Sequence, residues 1–247
     1  MRTWGLVDEA ELARVVVISP HLDDAVLGCG RLLAAHPGST VVTVYAGRPA
    51  AYPDPPTEWD AHGGFAAGDD VLASRREEDR RALALLDATP VWLDFVEHQY
   101  LAREEWVGAD RTVDALEAAV RAAEPTAVFA PFGLANPDHD ATHQAALVVR
   151  GRMGGIAWFC YEDMGYQHVP GLLAWRVARL FRALVWPTPA VVPLDETDSR
   201  RRRALAEYAS QVRALEAEWQ VGAKLAAPEQ HWRLASPPPG WEALTEV

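Results

Sequence analysis

The chain has 247 residues, 49% of them hydrophobic, and a formal net charge of −12. That length and apolar content support one sizeable α/β core, and the negative balance argues against holding nucleic acid or anionic lipid through a general electrostatic field. Small-molecule partners are favoured.

Acidic residues rather than an apolar stretch follow Met1 to Gly5, so no secretory signal is expected, and no run is long enough for a membrane span. In chain order, a β-branched strand is predicted over 15–18, followed by a helix over 28–35 and a strand over 40–45. Residues 52–68 are rich in Pro and Gly, hold Trp59 and His62, and read as a long surface loop able to cover a pocket. A helix over 71–86, a strand over 91–93, a helix over 110–123, a strand over 127–130 and a helix over 139–149 follow. Further strands are expected over 157–161 and 190–194, then one helix over 196–219 and an irregular tail over about 226–247. Four successive arginines, Arg200 to Arg203, point in different directions on that last helix and read mainly as a solvated face. The alternation predicts a single domain over 1–247, a Rossmann-like three-layer α/β/α fold with a mostly parallel sheet. Cys29 and Cys160 are too few for a disulfide framework and fit a reduced, cytoplasmic compartment.

Ligand sites in such folds gather at the carboxyl ends of strands. The first strand ends in Ser19-Pro20-His21-Leu22-Asp23-Asp24, where the spacing of His21 and Asp24 can converge an imidazole and a carboxylate on one cation while Asp23 points elsewhere. Two other readings stand beside this one. Asp23 and Asp24 can simply cap a helix. Gly28-Cys29-Gly30 can be a dinucleotide turn, although these glycines fall inside the helix and Leu33 stands where a third glycine belongs; close packing on the sheet suits them better. The strand over 127–130 empties in the same way into Asn136-Pro137-Asp138-His139, with His143 one turn on.

Pro20-His21-Leu22-Asp23-Asp24 together with Asn136-Pro137-Asp138-His139 resembles the LmbE-like, or PIG-L, family of zinc-dependent de-N-acetylases, whose motifs usually read His-Pro-Asp-Asp-Glu and His-Pro-Asp-His. Arg75-Arg76-Glu77-Glu78-Asp79, Tyr161-Glu162-Asp163 and Tyr208-Ala209-Ser210-Gln211 extend the likeness over about 15–211. The resemblance implies that His21, Asp24 and His139 hold Zn2+ or another divalent ion, and that Asp23 is the general base. It also implies that Asp138 orients a neighbouring side chain and that Arg75 contacts substrate.

Three departures from the family pattern stand out. Leu22 replaces a Pro, Ala25 a Glu, and Asn136 a His that in relatives stabilises the oxyanion or protonates the leaving amine. An amide can donate a hydrogen bond but cannot deliver a proton at neutral pH, so the proton falls to Asp23, or to His98, His143 or His168 if they reach the pocket. His143 reads as pocket lining or as a residue behind the ligands rather than a fourth ligand, because a catalytic zinc keeps a position open. Glu162 and Asp163 stand equally as binders of a hydroxyl-rich substrate or as a solvated turn, and Trp59 is the tryptophan best placed to face a sugar.

The expected activity is hydrolysis of an N-acetyl or other N-acyl group on an amino sugar or related small molecule, in a monomer or a homo-oligomer. The alternative is a metal- or ligand-binding member whose catalysis was impaired by Ala25 and Asn136.

Overall fold

The computed structural model describes residues 5–220, 222, 227–237 and 239–241. Seven strands form one sheet in the order β3-β2-β1-β4-β5-β7-β6. They are β1 (Val15–Ser19), β2 (Thr40–Thr43), β3 (Thr89–Trp92), β4 (Ala127–Pro131), β5 (Ala157–Tyr161), β6 (Trp186–Ala190) and β7 (His231–Ala235). The first five run parallel, and β7 alone is antiparallel to both of its neighbours.

Parallel strands covered on both faces need apolar side chains at every position. In β1, Val15 and Val17 enter one core with α1 (Asp24–Ala35), α3 (Val71–Leu85) and α7 (Ser199–Glu207), whereas Val16 and Ile18 enter the opposite core. That second core is closed by α4 (Ala109–Ala122), α5 (Pro137–Arg152) and α6 (Leu172–Arg182). The three-layer reading therefore holds. Gly28 and Gly30 mark close packing, because a Cβ on Gly28 would stand 2.5 Å from the Tyr161 ring and one on Gly30 would stand 2.7 Å from Arg201.

Several expectations need correction. The tail read as irregular contains β7, which inserts between β5 and β6; the rest of 226–247 lies partly outside the described residues. The strand expected over 190–194 is β6, four residues earlier, an edge strand carrying Pro187 and Pro189. The expected long helix is α7 and α8 (Ala209–Trp219), broken at Tyr208, where the backbone (φ −83°, ψ 53°) leaves the helical region. Nor are the four arginines uniformly solvated: Arg201 is buried beside Glu229 at 3.4 Å, while Arg202 and Arg203 are exposed. Helix α6 and the short α2 (Glu58–Gly63) were not anticipated. Among the described residues no helix is long and apolar enough to cross a membrane.

Strand order departs in two directions from the β1/β4 pair, since the chain goes outward to β2 and β3 and then returns to β4 and β5. Such a switch point leaves a crevice at the carboxyl ends of its two strands. Both histidine-carboxylate turns open there.

Candidate metal centre

The turn after β1 is built by its own short side chains. Ser19 Oγ donates to the His21 carbonyl at 2.6 Å and accepts from the Ala25 amide at 3.0 Å, while the His21 amide donates to Asp24 Oδ2 at 2.9 Å. Asp23 meets α1 through its backbone carbonyl, which accepts from Val26 and Leu27; its side chain makes no capping bond. Capping therefore does not account for that carboxylate, which lines the cavity instead.

At the end of β4, Gly133 takes φ +74°, a conformation that favours glycine, and the chain turns into α5. Asn136 caps this helix, its Oδ1 accepting from the Asp138 amide at 2.8 Å and the His139 amide at 3.5 Å, with Pro137 in the first turn. His139 thereby projects back toward β1. Its Nε2 stands 3.3 Å from Asp24 Oδ2, as does His21 Nδ1. His21, Asp24 and His139 each offer one ligand atom, all within 4.8 Å of one another.

Each imidazole is held from behind. His21 Nε2 lies 3.0 Å from Asp138 Oδ2, which also meets His98 Nδ1 at 2.9 Å, and His139 Nδ1 lies 2.6 Å from Asp163 Oδ1. A carboxylate on the far nitrogen fixes the tautomer and turns the near nitrogen's lone pair toward a cation. Asp163 sits just beyond β5, so three strand ends contribute to one centre.

The electrostatics follow from burial set against neighbouring charge. Burial acts to discharge His21 and His139, yet the carboxylates around them outweigh it, holding His21 well above the usual imidazole value and His139 at about 9. Burial would also neutralise Asp24, but His139 and His21 keep its pKa well below the ordinary range. Asp23 behaves oppositely, because burial and the Asp24 charge push it up to about 8. The donor set fits a divalent ion: two oriented imidazoles and one carboxylate kept ionised, where a cation would replace ring protons.

The expected residues divide cleanly. Asp23, Asp24, His21, Asn136 and His139 line one cavity of about 230 Å³, joined by Trp59, Glu97, His98, Met164 and Tyr166. Asp138 lies behind it. Arg75 is among the buried residues and holds Glu97 at 3.0 Å and Asp60 at 3.0 Å, so that Glu97, not the guanidinium, faces the cavity. His143 points away, its Nδ1 2.9 Å from the Pro131 carbonyl, and burial lowers its pKa to about 4. Glu162 accepts from the Trp232 indole at 2.9 Å outside the cavity wall, and His168 is exposed. The sequence reading passed over Glu97 and Tyr166 and gave Asp163 a different part. For Asp163 the position just past a strand was the available signal.

A family profile described as PIG-L, GlcNAc-PI de-N-acetylase, matches residues 16–149. No curated protein matches the chain. Among solved structures, the A40926 pseudoaglycone deacetylase Dbv21 is similar at 27% identity and TM-score 0.74, covering 91% of this chain and 98% of that one. A triple mutant of a deacetylase in the teicoplanin biosynthetic pathway shares 26% identity at TM-score 0.71, covering 92% and 99%. The N,N'-diacetylchitobiose deacetylase of Pyrococcus horikoshii shares the fold at 18% identity and TM-score 0.51, covering 92% and 84%.

Proposed function

This chain belongs to the PIG-L, GlcNAc-PI de-N-acetylase family, and from that premise we propose that it is a zinc-dependent hydrolase removing an acetyl or other N-acyl group from an amino sugar. The observation that carries this reading is the convergence of His21, Asp24 and His139, with Asp23 in the same cavity. A divalent ion held by those three side chains would polarise the acyl carbonyl and acidify a water.

The chain's own residues do the rest. Asp23 takes the proton from the attacking water and returns it to the departing amine, a double duty suited to a carboxyl that burial lifts well above the ordinary carboxylate range, so that it can hold the proton between the two steps. Asn136 has committed its oxygen to the helix cap, so its amide nitrogen is the atom that can donate within the cavity. Asp138 and Asp163 keep the two rings in one tautomer.

Leu27, Trp59, Met164 and Leu215 supply apolar wall, while Gln99, Gln211 and Glu97 supply polar groups. No Arg or Lys lines the cavity among the described residues. This favours an uncharged N-acyl sugar, such as an N-acetylglucosamine carried on a larger molecule, over a phosphorylated one. The likeness to an A40926 pseudoaglycone deacetylase and to a deacetylase of the teicoplanin biosynthetic pathway supports deacetylation as the reaction.

The test is acetate release from p-nitrophenyl N-acetyl-β-glucosaminide by the zinc-loaded protein. Chelation should abolish release and added Zn2+ should restore it. Ion binding without turnover across a panel of N-acyl sugars would instead favour a binding role, since Asn136 cannot itself deliver a proton.

A further inference from the structure

Amide hydrolysis places negative charge on the carbonyl oxygen, and a fixed donor aimed at that charge is among the largest contributions a protein makes. Beside His139 the cavity wall presents Asn136 and, from the turn after β5, Tyr166. Three features fix Tyr166 there. Gly165 takes φ +85°, which swings the chain over the crevice. The Tyr166 ring stands edge-on to the His139 imidazole, centroids 5.4 Å apart at 89°. Asn136 hydrogen-bonds to the phenol.

That last contact follows from the cap. With its oxygen accepting the amides of residues 138 and 139, Asn136 can offer only N–H, and a phenol oxygen that accepts it still carries an O–H of its own to donate. A tyrosine phenol, with an ordinary pKa of about 10, carries its proton at neutral pH. We infer that Tyr166 is a catalytic residue, the phenolic donor to the developing oxyanion, held in place by Asn136 and by packing on His139. The proposal rests on the hydrolase reading above. No proton leaves the phenol: its O–H bonds the oxyanion as water adds to the carbonyl and releases it when the C–N bond breaks.

Tyr166→Phe removes only the hydroxyl. In the zinc-loaded protein, kcat for acetate release from p-nitrophenyl N-acetyl-β-glucosaminide should fall about 10²-fold, with KM changed less than about threefold and metal content retained. Unchanged kcat, or a loss expressed wholly in KM, overturns the assignment. A second readout needs no turnover. Methylphosphonate, a tetrahedral anion, should bind the zinc-loaded wild type about tenfold more tightly than the Phe variant in calorimetry, and equal affinities would reject the donor. Wild type without acetate release but with that affinity difference would count against the hydrolase reading alone. Wild-type turnover lost in Asp23→Asn but intact in Tyr166→Phe would count against Tyr166 alone.

Discussion

The floor and the roof of the cavity are held by different physics. The floor is three strand ends, where turns of a few residues lock His21 to Asp138 and His139 to Asp163 across long sequence separations. The roof is α2, the turn His98–Tyr100 and α8, anchored by one buried guanidinium: Arg75 bridges Asp60 of α2 and Glu97 beside that turn. Tyr100 adds a bond to Asp60 at 2.9 Å, and Ser210 of α8 donates to Glu78 at 2.6 Å. The floor orients the candidate ligand atoms, whereas the roof shapes the space above them. Floor substitutions should therefore act on metal and chemistry, and roof substitutions on stability and substrate.

The largest effect expected is at Asp23. Asp23→Asn should lower kcat by about 10² to 10⁴ with the ion still bound, because the variant keeps the ligands and loses the base. Turnover within tenfold of wild type would remove Asp23 from the mechanism. Next comes a roof residue, Arg75→Met, which strands Glu97 and Asp60 as buried carboxylates. Denaturant unfolding should show a loss of about 3–5 kcal/mol while metal content per folded chain is unchanged. A variant as stable as wild type would show that the roof does not hang on this guanidinium.

These two sites also show what a sequence discloses. β1, β2, β4 and β5 were readable because both of their faces are buried, which demands unbroken apolar runs such as Val15 to Ile18, and the chemistry sits just past those runs. Edge strands carry no such demand. The edge strand β6, with prolines at 187 and 189, was placed four residues late, and β7, in which only His231 and Leu234 are buried, was missed. Arg75 illustrates a second limit: helical periodicity places it on α3, but only the fold discloses two acidic partners 15 and 22 residues away. Tyr166 lies in an irregular turn whose neighbours have no period, so nothing local pointed to it. The break at Tyr208 was equally silent, since the residues on both sides favour helix.

A smaller effect is expected from the groups behind the floor. Asp163→Ala should weaken zinc affinity about 10- to 100-fold, measured by competition with a chelating dye, because His139 loses the partner that fixes its tautomer. Unchanged affinity would mean that packing alone orients the ring. Smallest is Trp59→Ala in the roof. Its indole donates to Gln211 at 3.2 Å and forms cavity wall, so KM for a neutral N-acetylglucosaminide should rise severalfold with kcat nearly constant. A matching fall in kcat would blur the division between roof and floor.

Metal content by elemental analysis, compared across wild type and the His21→Ala, Asp24→Ala, His139→Ala and Asp23→Asn variants, tests the central claim most directly. One divalent ion per chain is expected in wild type and Asp23→Asn, with occupancy lost in the other three. Full occupancy in His139→Ala and Asp24→Ala would contradict a site shared between the β1 and β4 turns.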